Sequence, residues 1–289
     1  MSKNSNDKSV LFLYGTPFGR VLLHIILALK VPKLLGAVLR SPFSSFYVNS
    51  FVKKNSIDMT GFEGVKFKSF NDFFTRKKDF SFDSEPSHFI SPADSLLSVY
   101  NISESEGGTD AKFHIKGFDY TLKDFFECKK FNMSEAEEKS LLTSFNGGLC
   151  LVFRLCATDY HRYCFVDSGS QNGNHFIEGS LYSVQPLAAE NFRLYTKNRR
   201  SWTIIESENF GKLAQIEIGA FSVGGIKNHF EESGFKKGEE KGYFDLHGST
   251  IVILVQKDKI NVFEEIKKVT DSGDEYRVKI GQCVATSTL

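Results

Sequence analysis

The sequence predicts an α+β protein that is mostly β, with a sandwich-like or barrel-like main domain behind an amphipathic helical extension. Two observations lead to this prediction. Short β-prone runs, separated by clusters of Gly, Asn and Ser, fill the chain from Lys66 onward, with only two or three helical stretches among them. Before that point, apolar residues recur at helical spacing. We therefore predict a helical segment over residues 1–65 and one domain over residues 66–289.

The strand candidates of the main domain are dense in Val, Ile, Leu or Phe and are bounded by glycine or polar residues. They cover Leu149 to Cys156, Ala214 to Phe221 and Thr250 to Gln256. A helix is predicted after Ser134-x-x-Glu137, because these two side chains offer acceptors to the first unpaired backbone amides of a helix. A shorter helix is predicted to begin at Thr121.

The N-terminal segment has an amphipathic pattern rather than that of a membrane span. A spanning helix needs about 20 nearly uncharged apolar residues, whereas basic residues and a proline flank or interrupt this run. The apolar positions at helical spacing are Leu22, Ile25, Ile26, Leu29, Leu35 and Val38, and the basic residues near them are Arg20, Lys30, Lys33 and Arg40. Two interpretations stay open: the apolar stripe faces the protein core, or it lies on a membrane with the basic residues toward phospholipid headgroups.

The charge balance and the cysteines exclude several classes of protein. Lys and Arg number 36 against 35 Asp and Glu, which gives no reason to expect nucleic acid or another polyanion as a partner. The five cysteines are odd in number and have no C-x-x-C spacing, which argues against both a disulfide framework and a zinc ribbon. We therefore expect a reducing compartment and no bound metal.

A chemically distinctive pattern lies at Gly248-Ser249-Thr250, immediately before an apolar strand candidate. The strand would fix the Ser249 hydroxyl, and a glycine leaves the carbonyl before it unshielded. Attack of Ser249 Oγ on the Gly248 carbonyl would turn the peptide bond into an ester, whose elimination would leave a pyruvoyl group at position 249. The same three residues also occur in ordinary turns that enter strands, so the pattern alone leaves both interpretations open.

The pattern at 248–250 is one of many blocks that follow each other in the order of a single known family. Asp159-Tyr160-His161-Arg162 and Gly248-Ser249-Thr250 resemble its D-Y-H-R and G-S-T motifs. The further blocks are Tyr14-Gly15-Thr16, Asn71-Asp72-Phe73-Phe74-Thr75-Arg76, Ser91-Pro92-Ala93-Asp94, Lys116-Gly117 with Tyr120-Thr121-Leu122, Leu181-Tyr182-Ser183-Val184-Gln185-Pro186, Asn198-Arg199-Arg200, Gly219-Ala220 with Val223-Gly224, and Lys237-Gly238-Glu239-Glu240-Lys241-Gly242-Tyr243-Phe244. Over nearly its whole length the chain resembles the phosphatidylserine decarboxylases, in particular their shorter, clostridial-type branch.

The resemblance implies a proenzyme that cuts itself between Gly248 and Ser249 and uses the resulting pyruvoyl group as its cofactor. Phosphatidylserine would be converted to phosphatidylethanolamine and carbon dioxide through a Schiff base on that group. The implied relay for self-cleavage consists of Asp94, His161 and Ser249, in which the imidazole accepts the serine proton and the carboxylate stabilises the charged imidazole. The two fragments would stay associated, peripheral to the cytoplasmic face of the cell membrane, with a homodimer left open.

Four positions depart from the family pattern. Gln185 stands for an asparagine and His247 for a small or apolar residue, and Cys164 and Ser95 are the other two. The family usually reads D-Y-H-R-x-H, and its second histidine is taken as the relay base, but this chain has Cys164 there. Residues three apart on a strand project to opposite faces, so His161 could replace that histidine only if the segment bends. Either His161 or a Cys164 thiolate would then act as base, or self-cleavage is slow or lost. Ser95 stands where the family has glycine; if that glycine has a positive φ, serine costs roughly 1 kcal/mol and could displace Asp94.

Three other functions compete with this interpretation. A degenerate paralogue that no longer cleaves would keep the fold as a lipid-binding protein, and would run as one chain of 32.6 kDa rather than as two fragments. A decarboxylase of the same family could act on a soluble amino acid. A zinc module could use Cys156, His161 and Cys164, although these supply only three ligands and cannot all face one side of a strand.

Overall fold

The computed structural model describes residues 8–220, 225–246 and 249–288. Helices dominate the N-terminal part, as predicted. The described α-helices, numbered in chain order, are α1 Lys8–Gly15, α2 Pro17–Ala28, α3 Val31–Arg40, α4 Ser45–Asn55, α5 Phe70–Phe74, α6 Leu122–Phe126, α7 Glu135–Ser144, α8 Pro186–Asn191, α9 Leu194–Lys197 and α10 Glu264–Asp271. Short 3-10 turns cover Pro42–Ser44 and Cys128–Phe131.

Two of these helices begin where the sequence predicts. Ser134 caps α7, because its hydroxyl accepts a hydrogen bond from the amide of Glu137 while the Glu137 carboxylate accepts one from the amide of Ser134. Thr121 and Asp124 form the same reciprocal pair at the start of α6. Both pairs satisfy backbone donors that the first turn of a helix leaves unpaired.

The strands follow the predicted pattern closely. They are β1 His88–Ile90, β2 Ser95–Asn101, β3 Lys112–Ile115, β4 Phe118–Thr121, β5 Leu149–Leu155, β6 Arg162–Cys164, β7 Gly169–Gln171, β8 His175–Ile177, β9 Arg200–Ser207, β10 Gly211–Gly219, β11 Gly225–Asn228, β12 Ser233–Phe235, β13 Glu240–Asp245, β14 Ser249–Val255, β15 Ile260–Val262, β16 Tyr276–Val278 and β17 Cys283–Ser287. The three strands predicted from the sequence are β5, β10 and β14, with ends that differ by a few residues; Phe221, the predicted end of one, lies outside the described residues.

Nine of these strands form one antiparallel sheet. Their order is β12-β7-β9-β10-β14-β5-β2-β16, and β8 also pairs with β9. The smaller sheets have the orders β1-β17-β15, β11-β13-β6 and β3-β4. The α+β class is therefore confirmed, and the large sheet of the described residues is open at β12 and β16 rather than closed into a barrel.

The central strand β14 is buried on both faces. Ile251 and Ile253 point into one core, here called the front core, which also contains Phe244. Val252 and Leu254 point into a second core on the other face, the back core. Successive side chains of a strand point to opposite faces, so a strand between two cores needs apolar residues at every position. This explains the uninterrupted apolar run after Thr250.

A third core belongs to the helical segment. It consists of Val48, Phe70, Phe73 and Phe74 together with Leu246, and we call it the N-terminal core. Four of its five residues come from α4 and α5, and only Leu246 comes from the far end of the chain. The N-terminal helices therefore pack directly against the segment that follows β13.

The apolar stripe of the N-terminal segment faces outward. Ile25, Leu29 and Val38 are 49%, 72% and 53% exposed, whereas α2 buries Leu23 instead. The interpretation of this stripe as core-facing is therefore wrong. No single helix of the described residues has both the length and the apolar composition of a membrane span; α1 and α2 pass that test only as a pair, bent by 98°.

Candidate active site

Ser249 is the first residue of β14 and lies between two neighbouring strands. It is opposite Gly219 of β10 on one side and Leu155 of β5 on the other. The residue is 1% exposed, so its hydroxyl is held on a rigid strand away from bulk water. His247 and Gly248, on the other side of the predicted cut, lie outside the described residues.

The alternation of side chains assigns Ser249 to the front face of the sheet, together with Ile251 and Ile253. The front core also contains Tyr160 and Phe244, both neighbours of His161. Tyr160 precedes the histidine in the chain, and the amide of Phe244 donates a hydrogen bond to the His161 carbonyl at 2.9 Å. Ser249 and His161 therefore lie beside the same core, at the end of the sheet where β14 begins and β5 ends.

His161 is wholly buried, and one of its ring nitrogens has a defined partner. Nε2 lies 2.9 Å from the carbonyl oxygen of Cys156, the residue after β5. A carbonyl can only accept, so Nε2 carries the proton of the neutral ring and Nδ1 is the basic nitrogen. The Asp159 carboxylate fixes this turn, since it accepts from the amide of Cys156 at 2.7 Å and from Arg277 at 2.8 Å.

An aromatic ring from the N-terminal core covers the imidazole. Phe74 of α5 stacks on His161 with 4.0 Å between the ring centroids. Arg162 holds the end of α5 in place, because it donates to the Thr75 carbonyl at 2.7 and 3.0 Å and pairs with Glu240 at 2.7 Å. His161 itself precedes β6 rather than lying on it, so the strand-face argument against this histidine does not apply.

Asp94 lies at the same end of the sheet, two strands from Ser249. It directly precedes β2, and both Leu96 of β2 and Thr250 of β14 are opposite Arg154 of β5. Since adjacent strands are about 4.8 Å apart, the backbones of β2 and β14 are separated by roughly 10 Å here. The structure thus brings Asp94, His161 and Ser249 to one edge of the sheet.

The Asp94 carboxylate is fixed by the C-terminal part of the chain. It accepts hydrogen bonds from the amide of Ile280 at 2.9 Å and from Lys279 Nζ at 3.3 Å. The neighbouring Ser95 opens β2 and is not among the described non-glycine residues with positive φ. The cost of about 1 kcal/mol considered for serine at this position therefore does not arise.

Cys164, at the position of the family's second histidine, is wholly buried in β6. Its amide donates to the Pro92 carbonyl at 2.9 Å, and its Sγ lies 4.0 Å from the Ser91 carbonyl. Burial raises the pKa of the thiol, which disfavours the thiolate at neutral pH. The position is thus next to the segment that carries Asp94, but its side chain is a poor base.

The three residues considered as a zinc site are not brought together as one. Within residues 8–220, 225–246 and 249–288, one group of His, Cys, Asp or Glu side chains has three ligand atoms within 4.8 Å of one another, namely Asp83, His88 and Cys283. In that group His88 Nδ1 already pairs with the Asp83 carboxylate at 2.7 Å. The zinc module proposed from Cys156, His161 and Cys164 is therefore not supported.

Three further family-like blocks are joined by hydrogen bonds, and one of them contacts the strand beside Ser249. Asn198, wholly buried, donates hydrogen bonds to the carbonyls of Gly219 at 3.0 Å and of Tyr182 at 2.8 Å. The Tyr14 hydroxyl of α1 accepts from the amide of Ser183 at 2.8 Å, and burial raises the pKa of Tyr14 to about 12. Asn198 therefore supports the strand beside Ser249, whereas Tyr14 connects α1 to the block at 181–186.

Sequence reasoning missed two contacts of His161, those with Phe74 and with the Cys156 carbonyl. A signal existed for Phe74, because its block matches the family, but nothing local indicates that the ring stacks on a histidine 87 residues later in the chain. A backbone carbonyl has no sequence signature, so the partner that fixes the His161 tautomer could not be predicted.

Comparison with known proteins finds the same family by two routes, a family model and individual relatives. Residues 70–286 match the family model of phosphatidylserine decarboxylase. The chain is 38% identical over 284 residues to phosphatidylserine decarboxylase proenzyme 2 of Clostridium acetobutylicum, covering 97% of this chain and 92% of that protein. It is 37% identical to a phosphatidylserine decarboxylase proenzyme of Clostridium perfringens (96% and 92% covered) and 35% identical to that of Clostridium kluyveri (97% and 93%).

Proposed function

Because this chain belongs to the phosphatidylserine decarboxylase family, we propose that it is a proenzyme that cuts itself between Gly248 and Ser249 and then converts phosphatidylserine to phosphatidylethanolamine. One observation carries the proposal. Ser249 is buried at the start of the central strand β14, and His161, with its basic Nδ1, is buried beside the same core at the same end of the sheet.

In the proposed cleavage, Ser249 Oγ attacks the Gly248 carbonyl while the proton of the hydroxyl moves to His161. A C–O bond forms, the C–N bond breaks, and the freed nitrogen takes up the proton. The imidazole, neutral again, then takes the Cα proton of residue 249 as the Gly248 carboxylate leaves, which forms a C=C bond beside the nitrogen. This enamine tautomerises to an imine, and water hydrolyses the imine to ammonia and the ketone. Asp94, which lies at the same edge of the sheet, supports the charged imidazole through its field.

The surroundings of residue 249 suit a pyruvoyl group. The position is shielded from bulk water, as a reactive ketone requires. When present, the pyruvoyl group supplies a carbonyl that reacts with the substrate amine and accepts the electrons released as carbon dioxide leaves.

After the cut, the fragment that begins at residue 249 stays bound because its strands are hydrogen-bonded to strands of the other fragment. Its strand β14 pairs with both β10 and β5, its β16 pairs with β2, and its β17 pairs with β1. We therefore expect the fragments to copurify and to separate only in denaturant.

A membrane surface is the proposed partner of the N-terminal helices, on the cytoplasmic side. Besides the stripe on α2 and α3, Phe43 and Phe46 are 85% and 81% exposed, and both follow the basic residues Lys30 and Lys33. Large exposed apolar side chains in a segment that also carries basic residues are typical of segments that lie in the lipid interface. The proposed substrate is a phospholipid, so an enzyme bound at that surface would be close to it.

Intact mass of the purified protein tests the proposal. We expect two fragments, of which the C-terminal one is blocked to Edman sequencing and reacts with a carbonyl reagent, and formation of phosphatidylethanolamine from phosphatidylserine. Ser249→Ala should remain one chain of 32.6 kDa without activity, whereas Ser98→Ala, at a buried serine of β2, should be cut normally.

Cys164 in place of a histidine favours one second candidate, the non-cleaving lipid-binding paralogue. A wild-type chain that stays whole, carries no carbonyl and still binds phospholipid vesicles would establish that alternative. A preparation that is cut but decarboxylates free serine rather than phosphatidylserine would instead identify an enzyme for soluble amino acids.

A further inference from the structure

The residues just before the proposed cleavage site are anchored in the N-terminal helical segment. β13 ends at Asp245, Leu246 follows, and the bond proposed to break lies after Gly248. Asp245 and Leu246 each contact a helix of the N-terminal part. These contacts join helices α3, α4 and α5 to the end of the main domain at which Ser249 lies.

Leu246 is anchored by its side chain. It is wholly buried in the N-terminal core, where it packs with Val48, Phe70, Phe73 and Phe74. Its backbone has φ 51°, in the left-handed region that a branched side chain rarely adopts. A non-glycine residue keeps such a conformation only when its surroundings determine it, and here the N-terminal core does so. The chain is thereby turned at a fixed point just ahead of Gly248.

Asp245 is anchored by its charge. Its carboxylate accepts a hydrogen bond from the guanidinium of Arg40, at the end of α3, at 2.5 Å. The second carboxylate oxygen is buried without a hydrogen-bond partner among the described residues, so Arg40 is the cation that compensates this side chain. Within its sheet, Asp245 of β13 is opposite Gly225 of β11.

The same short segment also touches the candidate base. The amide of Phe244 donates to the His161 carbonyl at 2.9 Å, while Phe74 of the N-terminal core stacks on the His161 ring. Residues 244–246 thus span the distance between His161 and the N-terminal helices. A shift of α3 or α5 would therefore move residues 244–246, which lead to Gly248, relative to the His161 imidazole.

We propose that Arg40 and Leu246 are positioning residues for self-cleavage: the N-terminal helices hold Asp245 and Leu246 in place, and this sets how Ser249 Oγ meets the bond that breaks. This inference rests on the self-cleavage proposed above. Neither side chain contacts the reacting atoms in this scheme. Both act on the geometry of the bond that breaks, where a displacement of about 1 Å is enough to slow a reaction about 100-fold.

The test follows the loss of the uncut chain by intact mass after synthesis in lipid-free solution. We expect Arg40→Gln to slow the cut at least tenfold, with a melting temperature close to that of wild type, and Arg40→Lys to recover most of the rate because it keeps the charge. The matched control is Arg20→Gln, because Arg20 lies in the same helical segment but contacts Tyr14 and Asn191. Once cut, Arg40→Gln chains should decarboxylate at the wild-type rate per carbonyl.

Leu246 provides an independent arm. Leu246→Ala should slow the cut because the turn loses its anchor, whereas Leu246→Met, which preserves the side-chain volume, should be cut nearly as fast as wild type. If Leu246→Ala does not fold, Leu246→Met and the Arg40 pair still decide the matter. Equal cutting rates for wild type, Arg40→Gln and Arg20→Gln would overturn this inference and leave the proposed function intact. A wild-type chain that is never cut would overturn the proposed function first.

Discussion

The imidazole of His161 stacks on the ring of Phe74 at 4.0 Å, with 29° between the two planes. This contact joins the D-Y-H-R segment of the main domain to α5 of the N-terminal part. Together with the bond from Nε2 to the Cys156 carbonyl, it fixes the plane and the tautomer of the ring. The direction in which Nδ1 can take a proton is therefore set by two residues far apart in the sequence.

Phe74→Leu should slow self-cleavage, because the imidazole loses the flat surface against which it stacks. The matched control is Phe145→Leu, which removes the same atoms from the back core instead of the N-terminal core. Each substitution should destabilise the fold by about 1–2 kcal/mol. Time courses of intact mass should show slow cutting for Phe74→Leu and a nearly normal rate for Phe145→Leu; equal rates would remove the role given to stacking.

His161→Ala and Cys164→Ala should separate the two candidate bases. Burial raises the pKa of the Cys164 thiol, so it stays protonated at neutral pH and its loss should change the cutting rate by no more than about threefold. His161→Ala should leave the chain whole. Both positions are wholly buried, so far-UV circular dichroism must confirm that each variant folds. If His161→Ala is cut but forms no phosphatidylethanolamine, the imidazole acts only in decarboxylation, as a proton donor.

Signals that depend on a few neighbouring residues could be predicted from the sequence. The capping box at Ser134 and Glu137 and the apolar run of β14 both belong to this kind, since local hydrogen bonding and side-chain alternation determine them. The position of Ser249 at the start of a buried strand followed directly. Asp94 and His161 were predicted from the family resemblance of their blocks rather than from local pattern, and the structure places both at the edge of the sheet where β14 begins.

Contacts between distant segments could not be predicted. Ile280 donates to Asp94 across 186 positions of sequence, and Leu246 completes a core that otherwise comes from α4 and α5. The orientation of the N-terminal stripe also escaped prediction, because the same periodicity fits a helix that faces the core and one that faces outward. Only packing shows that Leu23, rather than Ile25 or Leu29, is the buried residue of α2.

Lys241 and Glu217 form an ion pair at 2.8 Å in which both side chains are fully buried. Lys241→Met should destabilise the fold by about 3–5 kcal/mol, because Glu217 keeps a buried charge without its cation. Adding Glu217→Gln should recover part of that loss. Urea unfolding should be measured on Ser249→Ala chains, so that one uncut chain unfolds.

The control for this pair is Lys267→Met on α10. Its ion pair with Glu264 at 2.9 Å is largely exposed, and such pairs contribute at most about 1 kcal/mol. A loss for Lys241→Met no larger than that for Lys267→Met would contradict the importance of the buried pair.

Glu275 should make the stability depend on pH. Burial by itself would raise its pKa, but the hydrogen bonds and charge of Arg154, with the charge of Lys116, hold the pKa below the ordinary value of 4.5. A group whose pKa is depressed in the folded state contributes stability above its unfolded pKa, and that contribution is lost as the pH falls through the folded value.

The variant that tests this is Glu275→Gln on uncut Ser249→Ala chains. At pH 7 it should cost about 3 kcal/mol, because Arg154 loses its buried counter-charge. The difference in unfolding free energy between parent and variant should be constant from pH 7 to about pH 5 and should shrink below pH 4.5. A difference that grows on acidification would show the opposite shift.

Membrane docking should depend on the exposed phenyl rings of the N-terminal part. Burying one such ring in the interface contributes about 1.5–3 kcal/mol, so Phe43→Ser with Phe46→Ser should weaken binding to phosphatidylglycerol vesicles at least tenfold. Phe176→Ser is the matched control, because that ring is 44% exposed on β8 of the main domain. Lys30→Ala with Lys33→Ala should weaken flotation with anionic vesicles but not with phosphatidylcholine vesicles, since their contribution is a charge attraction that salt screens. Unchanged flotation of the double phenylalanine variant would mean that lipid reaches the site without these helices.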